Sequence, residues 1–316
     1  MKAFSGLMGH SRVQAVLTRM IERGTLPHAF LFVGPQHVGK STIAQGLVRH
    51  LLDTTGQLEL NPDYHTLTVL TDEKTGKDKS NISVKQVREL IGRLSMSSLA
   101  GSWKIVWIED AEKLSMGAAN ALLKTLEEPK GKTMFILRAS EVDHLPATIV
   151  SRCQTLRFSQ VAKEDISEGL VRAGFAPKDA KDAASRSMGR PGLALKFLKD
   201  TAYRSTHETG VAQARAFLGE DITERFARVM EMIPKSEVNK SARLSEVVYQ
   251  LQLVCRDALL DSVGCASLKV LNSSEDTFRM SAESVIATLD RLSEVRRAIP
   301  HNINPHLALE HVALSA

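Results

Sequence analysis

The stretch Gly34-Pro35-Gln36-His37-Val38-Gly39-Lys40-Ser41 constrains this chain more than any other. Two glycines with four residues between them, followed by Lys and Ser, make a phosphate-binding loop when a strand precedes and a helix follows. Both contexts are present. Ala29-Phe30-Leu31-Phe32-Val33 is a short apolar run that predicts a buried strand, and residues 42–51 predict a helix. In such a turn, backbone N–H groups of the loop and the helix N-terminus converge on one spot and favour an anion there. Lys40 adds a full positive charge near the terminal phosphates, and the Ser41 hydroxyl is placed to ligate Mg²⁺.

The rest of the first half alternates strands and helices. Strands are predicted at residues 65–70, 105–108, 133–137 and 155–158. Helices are predicted from Ser83, with Val84, Val87, Leu90 and Ile91 on one face, and over residues 115–126, stopped by Glu127-Glu128-Pro129. Residues 71–81 are polar and rich in Lys and Asp, and predict an exposed loop. Alternation of this kind implies an α/β fold, a parallel sheet covered on both faces, with the phosphate site at the carboxyl ends of the strands. From about Val161 the strand signals stop. Short helices at residues 166–174, 180–188 and 193–199 predict a small helical domain. Beyond Thr201 the helical segments lengthen, with Val247, Leu251, Val254 and Ala258 on one face and Val285, Leu289, Leu292 and Ile299 on another, ahead of Pro300. The expected division is therefore 1–160, 161–202 and 203–316.

Composition narrows the class without fixing it. The 316 residues are 43% hydrophobic and 24% charged, enough for two or three domains with ample core. No apolar run approaches the roughly 20 residues that span a bilayer, and the first residues lack the apolar core of a signal peptide, so a cytoplasmic protein without a membrane partner is expected. Three cysteines, Cys153, Cys255 and Cys265, are far apart and lack metal-ligand spacing, which fits a reducing cytosol. A net charge of +5 suits a polyanionic partner and a solvated basic surface equally well.

The strand at 105–108 ends in Glu109-Asp110. Beside a phosphate loop, one strand-end acid holds Mg²⁺ through its water shell and a second polarises the attacking water. The setting of these acids is distinctive. Ala119-Asn120-Ala121-Leu122-Leu123-Lys124-Thr125-Leu126-Glu127-Glu128-Pro129 and Leu145-Pro146-Ala147-Thr148-Ile149-Val150-Ser151-Arg152-Cys153 closely resemble bacterial clamp loaders, the AAA+ subunits of DNA polymerase III. Leu26-Pro27-His28-Ala29-Phe30, the phosphate loop and Asn302-Ile303-Asn304-Pro305-His306-Leu307-Ala308-Leu309-Glu310 are similar too. The resemblance is strongest over residues 25–158. The absence of any cysteine before Cys153 means no zinc module, and Asn61-Pro62-Asp63-Tyr64-His65 with residues 82–90 looks most like the delta-prime type, with a motor-type (tau/gamma-like) or stand-alone ATPase as the alternative. From the chain's length, the further domains of a tau form are not expected.

The resemblance implies an AAA+ phosphate-loop domain, a helical lid and a helical collar that joins subunits in a five-membered ring. It implies ATP and Mg²⁺ as cofactors. Gly34, Gly39, Lys40, Ser41 and Thr42 match the nucleotide loop, and Ser41 and Glu109 the groups that hold the metal. Glu109 and Asp110 match the metal and water acids in reversed order. Arg152 matches a trans-acting arginine finger, Ser140 the one hydroxyl of the first sensor, and Gly192 the place where motor subunits carry a second-sensor Arg, with Arg190 two residues early. The residues around Leu7-Met8-Gly9-His10 resemble the segment near the base. These departures imply weak intrinsic hydrolysis. Implied partners are the other loader subunits (delta and tau/gamma-like), the sliding clamp and primer-template DNA, with Arg88 and Ser115 as candidate phosphate contacts.

Overall fold

The computed structural model describes residues 4, 6–71, 81–95, 103–271, 280–299 and 303–314. Most of the loop expected over 71–81, together with Pro300 and Asn302, lies outside the described residues. Two compact units are formed, Met1–Leu195 and Lys196–Ala316.

In the first unit, five strands make one sheet: β1 (Ala29–Val33), β2 (Tyr64–Leu67), β3 (Lys104–Ile108), β4 (Thr133–Ala139) and β5 (Gln154–Arg157). All pairs are parallel and the spatial order is β2-β3-β4-β1-β5, which puts β1 between β4 and β5. Parallel neighbours need crossover helices, and the chain supplies α2 (Lys40–Leu51), α3 (Val84–Leu94), α4 (Met116–Glu127) and the short α5 (Ala147–Val150), after an opening α1 (Ser11–Arg23). Alternation along the strands sorts the two faces. Leu31, Val106, Ile108, Phe135 and Leu137 pack with Val87, Leu90, Leu122 and Ile149, on the side of α3, α4 and α5. Phe30, Phe32, Ile105, Trp107, Met134 and Ile136 pack with Leu17, Ile43, Leu47 and Val48, on the side of α1 and α2. The sheet is thus buried on both faces, as a continuous apolar run such as Ala29–Val33 requires.

Element ends differ from expectation for local reasons. β2 stops at Leu67 instead of reaching Leu70. Its partner β3 ends where the Glu109 N–H meets the Leu67 carbonyl, after which the chain winds into a short 3₁₀ turn at Ala111–Lys113, and the Thr68 carbonyl accepts from Gln86 Nε2 instead of a strand. β4 runs on to Ala139, and α2 starts at Lys40 with Gly39 as its N-cap. Helices α6 (Lys163–Arg172), α7 (Pro177–Arg186) and α8, which begins at Pro191, follow β5.

The described part of the second unit is helical: α9 (Thr201–Gly219), α10 (Ile222–Met232), α11 (Lys240–Ser262), α12 (Ala282–Ala298) and α13 (Pro305–Ala313). The apolar face expected on α11 is buried at Val247, Leu251 and Val254. On α12 the buried stripe is Val285, Thr288, Leu292 and Val295, and Thr288 meets its burial by donating its hydroxyl to the Ser284 carbonyl. Arg225 gathers the carbonyls that end α9 and α13, donating to Phe217, Leu218 and Ala313. Such cations at helix C-termini satisfy acceptors that have no partner within the helix.

Candidate functional site

Strand β1 delivers the loop. Gly34 stands at φ +148°, and a Cβ there would lie 2.1 Å from the Phe158 carbonyl oxygen, so the turn accepts only glycine. Gly39 at φ +111° ends the loop, and no side chain caps the first N–H groups of α2. Val38 is fully buried beneath the loop, while His10 Nε2 meets its carbonyl at 2.8 Å. Burial, against that bond, holds the His10 imidazole below its ordinary pKa. From the helical region, the Gly192 N–H donates to the His37 carbonyl at 2.8 Å, and His37 itself is at φ +64°. The place expected for a second sensor is thus backbone held against the loop.

Lys40 is only 5% exposed and folds over its own loop, donating to the carbonyls of Gly34 and, at 2.6 Å, Pro35. Burial first, and the nearby Arg138 charge second, pull its ammonium down to about 8. Thr42 lies on the exposed side of the first turn of α2.

The acids at the end of β3 meet a residue that the motifs do not announce. Glu109 follows Ile105 and Trp107 on the α2 side of the sheet, and Arg138 follows Met134 and Ile136 on the same side. The register pairs Ile108 with Leu137, so the next step sets Glu109 beside Arg138. Arg138 Nη2 donates to Asp110 Oδ1 at 2.7 Å, Nε donates to the Glu109 carbonyl at 2.7 Å, and Nη1 lies 3.3 Å from Glu109 Oε1. Nη1 also donates to the Ser41 hydroxyl at 3.2 Å. Burial works to raise the Asp110 carboxyl, but the Arg138 hydrogen bond and charge, with Lys113 at 3.3 Å, outweigh it and hold the group below its ordinary pKa. The atoms that Mg²⁺ would need are therefore engaged by a guanidinium, and as arranged they do not fit the metal. Among the described residues no cluster of His, Cys, Asp and Glu is set to hold a metal ion.

Ser140 is turned to a different acid. Its N–H and hydroxyl donate to Glu112 Oε1 at 3.1 and 2.8 Å, and Glu112 Oε2 is buried with no hydrogen-bond partner among the described residues. Arg152, just past α5, is held by Glu127 at the end of α4: Nε donates to Glu127 Oε1 at 2.8 Å, Nη2 reaches the same oxygen, and Nη1 donates to the Thr148 carbonyl at 2.8 Å.

The family match falls on this same unit. Residues 9–162 match the family described as DNA polymerase III, delta subunit. A DNA polymerase III delta-prime subunit from Haemophilus influenzae is 42% identical over 111 residues, 35% of this chain and 32% of that protein. Over residues 9–162 the chain is similar to that family, and its curated relatives include delta-prime subunits. A delta-prime subunit from Pseudomonas aeruginosa is 34% identical over 155 residues, 44% of this chain and 45% of that protein. The gamma subunit from Buchnera aphidicola is 29% identical over 170 residues, 52% of this chain and 47% of that one. The chain thus matches less than half the length of these relatives. The expected α/β fold with a helical C-terminal part is the one observed.

In the first unit, the N-termini of α3 and α4 are tied side by side. The Ile82 N–H donates to the Lys113 carbonyl at 2.7 Å, and the Ser115 N–H to the Ile82 carbonyl at 3.0 Å. Ser83 and Gln86 form a capping box on α3, and Ser115 caps α4 by accepting from the Ala118 N–H at 3.2 Å. Arg88 is exposed on α3. The motifs bring Gly34, Gly39, Lys40, Ser41, Glu109 and Asp110 together, and the structure adds Arg138 and Glu112. The one sequence signal for Arg138 is a charge near the end of an otherwise apolar strand. No helix among the described residues is long and apolar enough to cross a membrane.

Proposed function

We propose that this chain is a delta-prime-type subunit of a DNA polymerase III clamp loader, one that binds nucleotide in its loop and serves a neighbour's hydrolysis more than its own. The observation that carries this reading is the division of the two arginines. Arg138 holds the acids of the chain's own site, while Arg152 sits away from them on Glu127, at the end of α4. Gly34, Gly39, Lys40, Ser41 and Thr42 cradle the phosphates of ATP. Arg152 leaves Glu127 to meet the nucleotide of the adjacent subunit, where a guanidinium stabilises charge on the transferring phosphate.

The helices after residue 161 act as a lid over the loop, and those beyond about residue 203 as a collar that joins the ring of delta and tau/gamma-like subunits. The ring loads a sliding clamp on primer-template DNA. Arg88 and the α4 start at Ser115 face duplex phosphates, contacts that position a protein without reading sequence.

The test is Arg152→Ala in the reconstituted loader. Stimulated ATP turnover by the complex should fall by about 10³-fold or more, while this chain binds nucleotide as before. Full stimulated activity would refute the finger assignment. The purified chain alone should turn over almost no ATP. Robust turnover that Lys40→Ala abolishes would favour the autonomous, motor-type enzyme instead, a reading that the intact loop and its lysine support.

A further inference from the structure

A nucleotide's Mg²⁺ is ordinarily held by the hydroxyl that ends the phosphate loop and by an acid at the end of the neighbouring strand. In this chain one guanidinium already engages all of those groups. Arg138 donates through Nη1 to the Ser41 hydroxyl at 3.2 Å and through Nη2 to Asp110 Oδ1 at 2.7 Å, and its Nη1 lies 3.3 Å from Glu109 Oε1. Its Nε is anchored on the Glu109 carbonyl at 2.7 Å. The fork is therefore fixed at several points, and the side chain is three-quarters buried, at 25% exposure.

A divalent ion has two ways in, and both are costly. It can displace the guanidinium, which strips a largely buried cation of two carboxylates and a hydroxyl. It can sit beside the guanidinium, which sets like charges against each other with the acids already neutralised. Mg²⁺ also demands a near-octahedral shell at about 2.0–2.1 Å and gives up water reluctantly. A site whose carboxylates and hydroxyl are committed elsewhere offers it little.

From this juxtaposition we infer that Arg138 is the resident cation of the phosphate site, and that the loop holds a nucleoside di- or triphosphate without a divalent metal. The inference rests on the nucleotide-binding reading above. It assigns Arg138 a positioning role. The guanidinium keeps Ser41 and the two acids in place, and Lys40, released from the Gly34 and Pro35 carbonyls, is left as the cation for the phosphates. A metal-free site also lacks the ion that neutralises charge on a transferring phosphate, so binding is uncoupled from hydrolysis in this chain.

The experiment is binding of fluorescently labelled ATP and ADP to the full chain, by anisotropy, in excess Mg²⁺ and in EDTA at matched ionic strength. The two affinities should agree within about threefold. In Arg138→Ala, and in Arg138→Gln as a variant closer in shape, binding should become metal-dependent by about tenfold or more. With Mn²⁺ in place of Mg²⁺, the protein–nucleotide complex should show a bound-Mn²⁺ electron paramagnetic resonance signal in the variants and none in the wild type. The wild-type measurements decide even if both variants fail to fold. Nucleotide binding that needs Mg²⁺, or a Mn²⁺ signal in the wild-type complex, overturns the inference and leaves the nucleotide-binding reading standing. Absence of nucleotide binding under both conditions overturns both.

Discussion

At the scale of single residues, the loop owes its shape to backbone that only glycine allows. Gly34 combines φ +148° with a Phe158 carbonyl oxygen 2.1 Å from where a Cβ would stand. Gly34→Ala should therefore destabilise the first unit by about 3 kcal/mol or more, since strain and a backbone clash add. Urea unfolding measures it. A loss under about 1 kcal/mol would mean that the end of β5 yields easily and that the close approach is not a constraint. Gly34, Gly39 and Lys40 were legible in the sequence because their spacing is the geometry of the loop. Arg138 was not, because nothing local in Thr133–Ala139 distinguishes a cation bound for the site from one that ends a strand in solvent. Only the register, which carries Arg138 past Leu137 to the side of Glu109, gives it a partner. Glu112 and Ser140 are in the same position: their pairing crosses from the turn after β3 to the end of β4, and no spacing rule connects them.

At the scale of elements, the strands and helices were legible because apolar runs and the 3.6-residue period report burial directly. Their ends were not, because ends are set by partners. β2 loses its ladder when β3 turns at Glu109, which the Thr68-Val69-Leu70 run cannot signal. Caps are the exception, and Ser115 shows why a cap complicates a functional reading. Its hydroxyl accepts from the Ala118 N–H, so it holds the start of α4 whether or not DNA lies nearby. Ser115→Ala should cost about 1 kcal/mol of stability. Ser115→Asp keeps a capping oxygen and favours the positive end of the helix dipole, so its melting temperature should stay close to wild type. The same Asp brings a negative charge to the place proposed to face duplex phosphates, and should weaken DNA binding by the assembled loader most at low salt. Unchanged DNA affinity in Ser115→Asp would leave Ser115 a cap and nothing more.

At the scale of the molecule, each compact unit carries one thiol whose ionisation is opposed by burial. Cys153 in the first unit and Cys255 in the second are both pushed up to about 12, Cys255 with no exposed surface at all. The sign of the consequence follows from proton counting. Below the ordinary thiol value of 9.0 both the folded and the unfolded chain keep the proton, and the group contributes nothing to pH dependence. Between about 9 and about 12 the unfolded chain releases a proton that the folded chain retains, so stability falls as pH rises through that window. For Cys255 alone the loss by pH 10 is about 1 kcal/mol. The comparison to make is urea unfolding of wild type and Cys255→Ala at pH 8 and pH 10, followed by helical signal, to which the second unit contributes α9 to α13. Removing the thiol should lower stability at both pH values through the lost side chain, yet the drop from pH 8 to pH 10 should be smaller in the variant by that same amount. Equal drops would mean that the thiol ionises as readily in the folded helices as in the unfolded chain, and hence that the interior around Cys255 admits water.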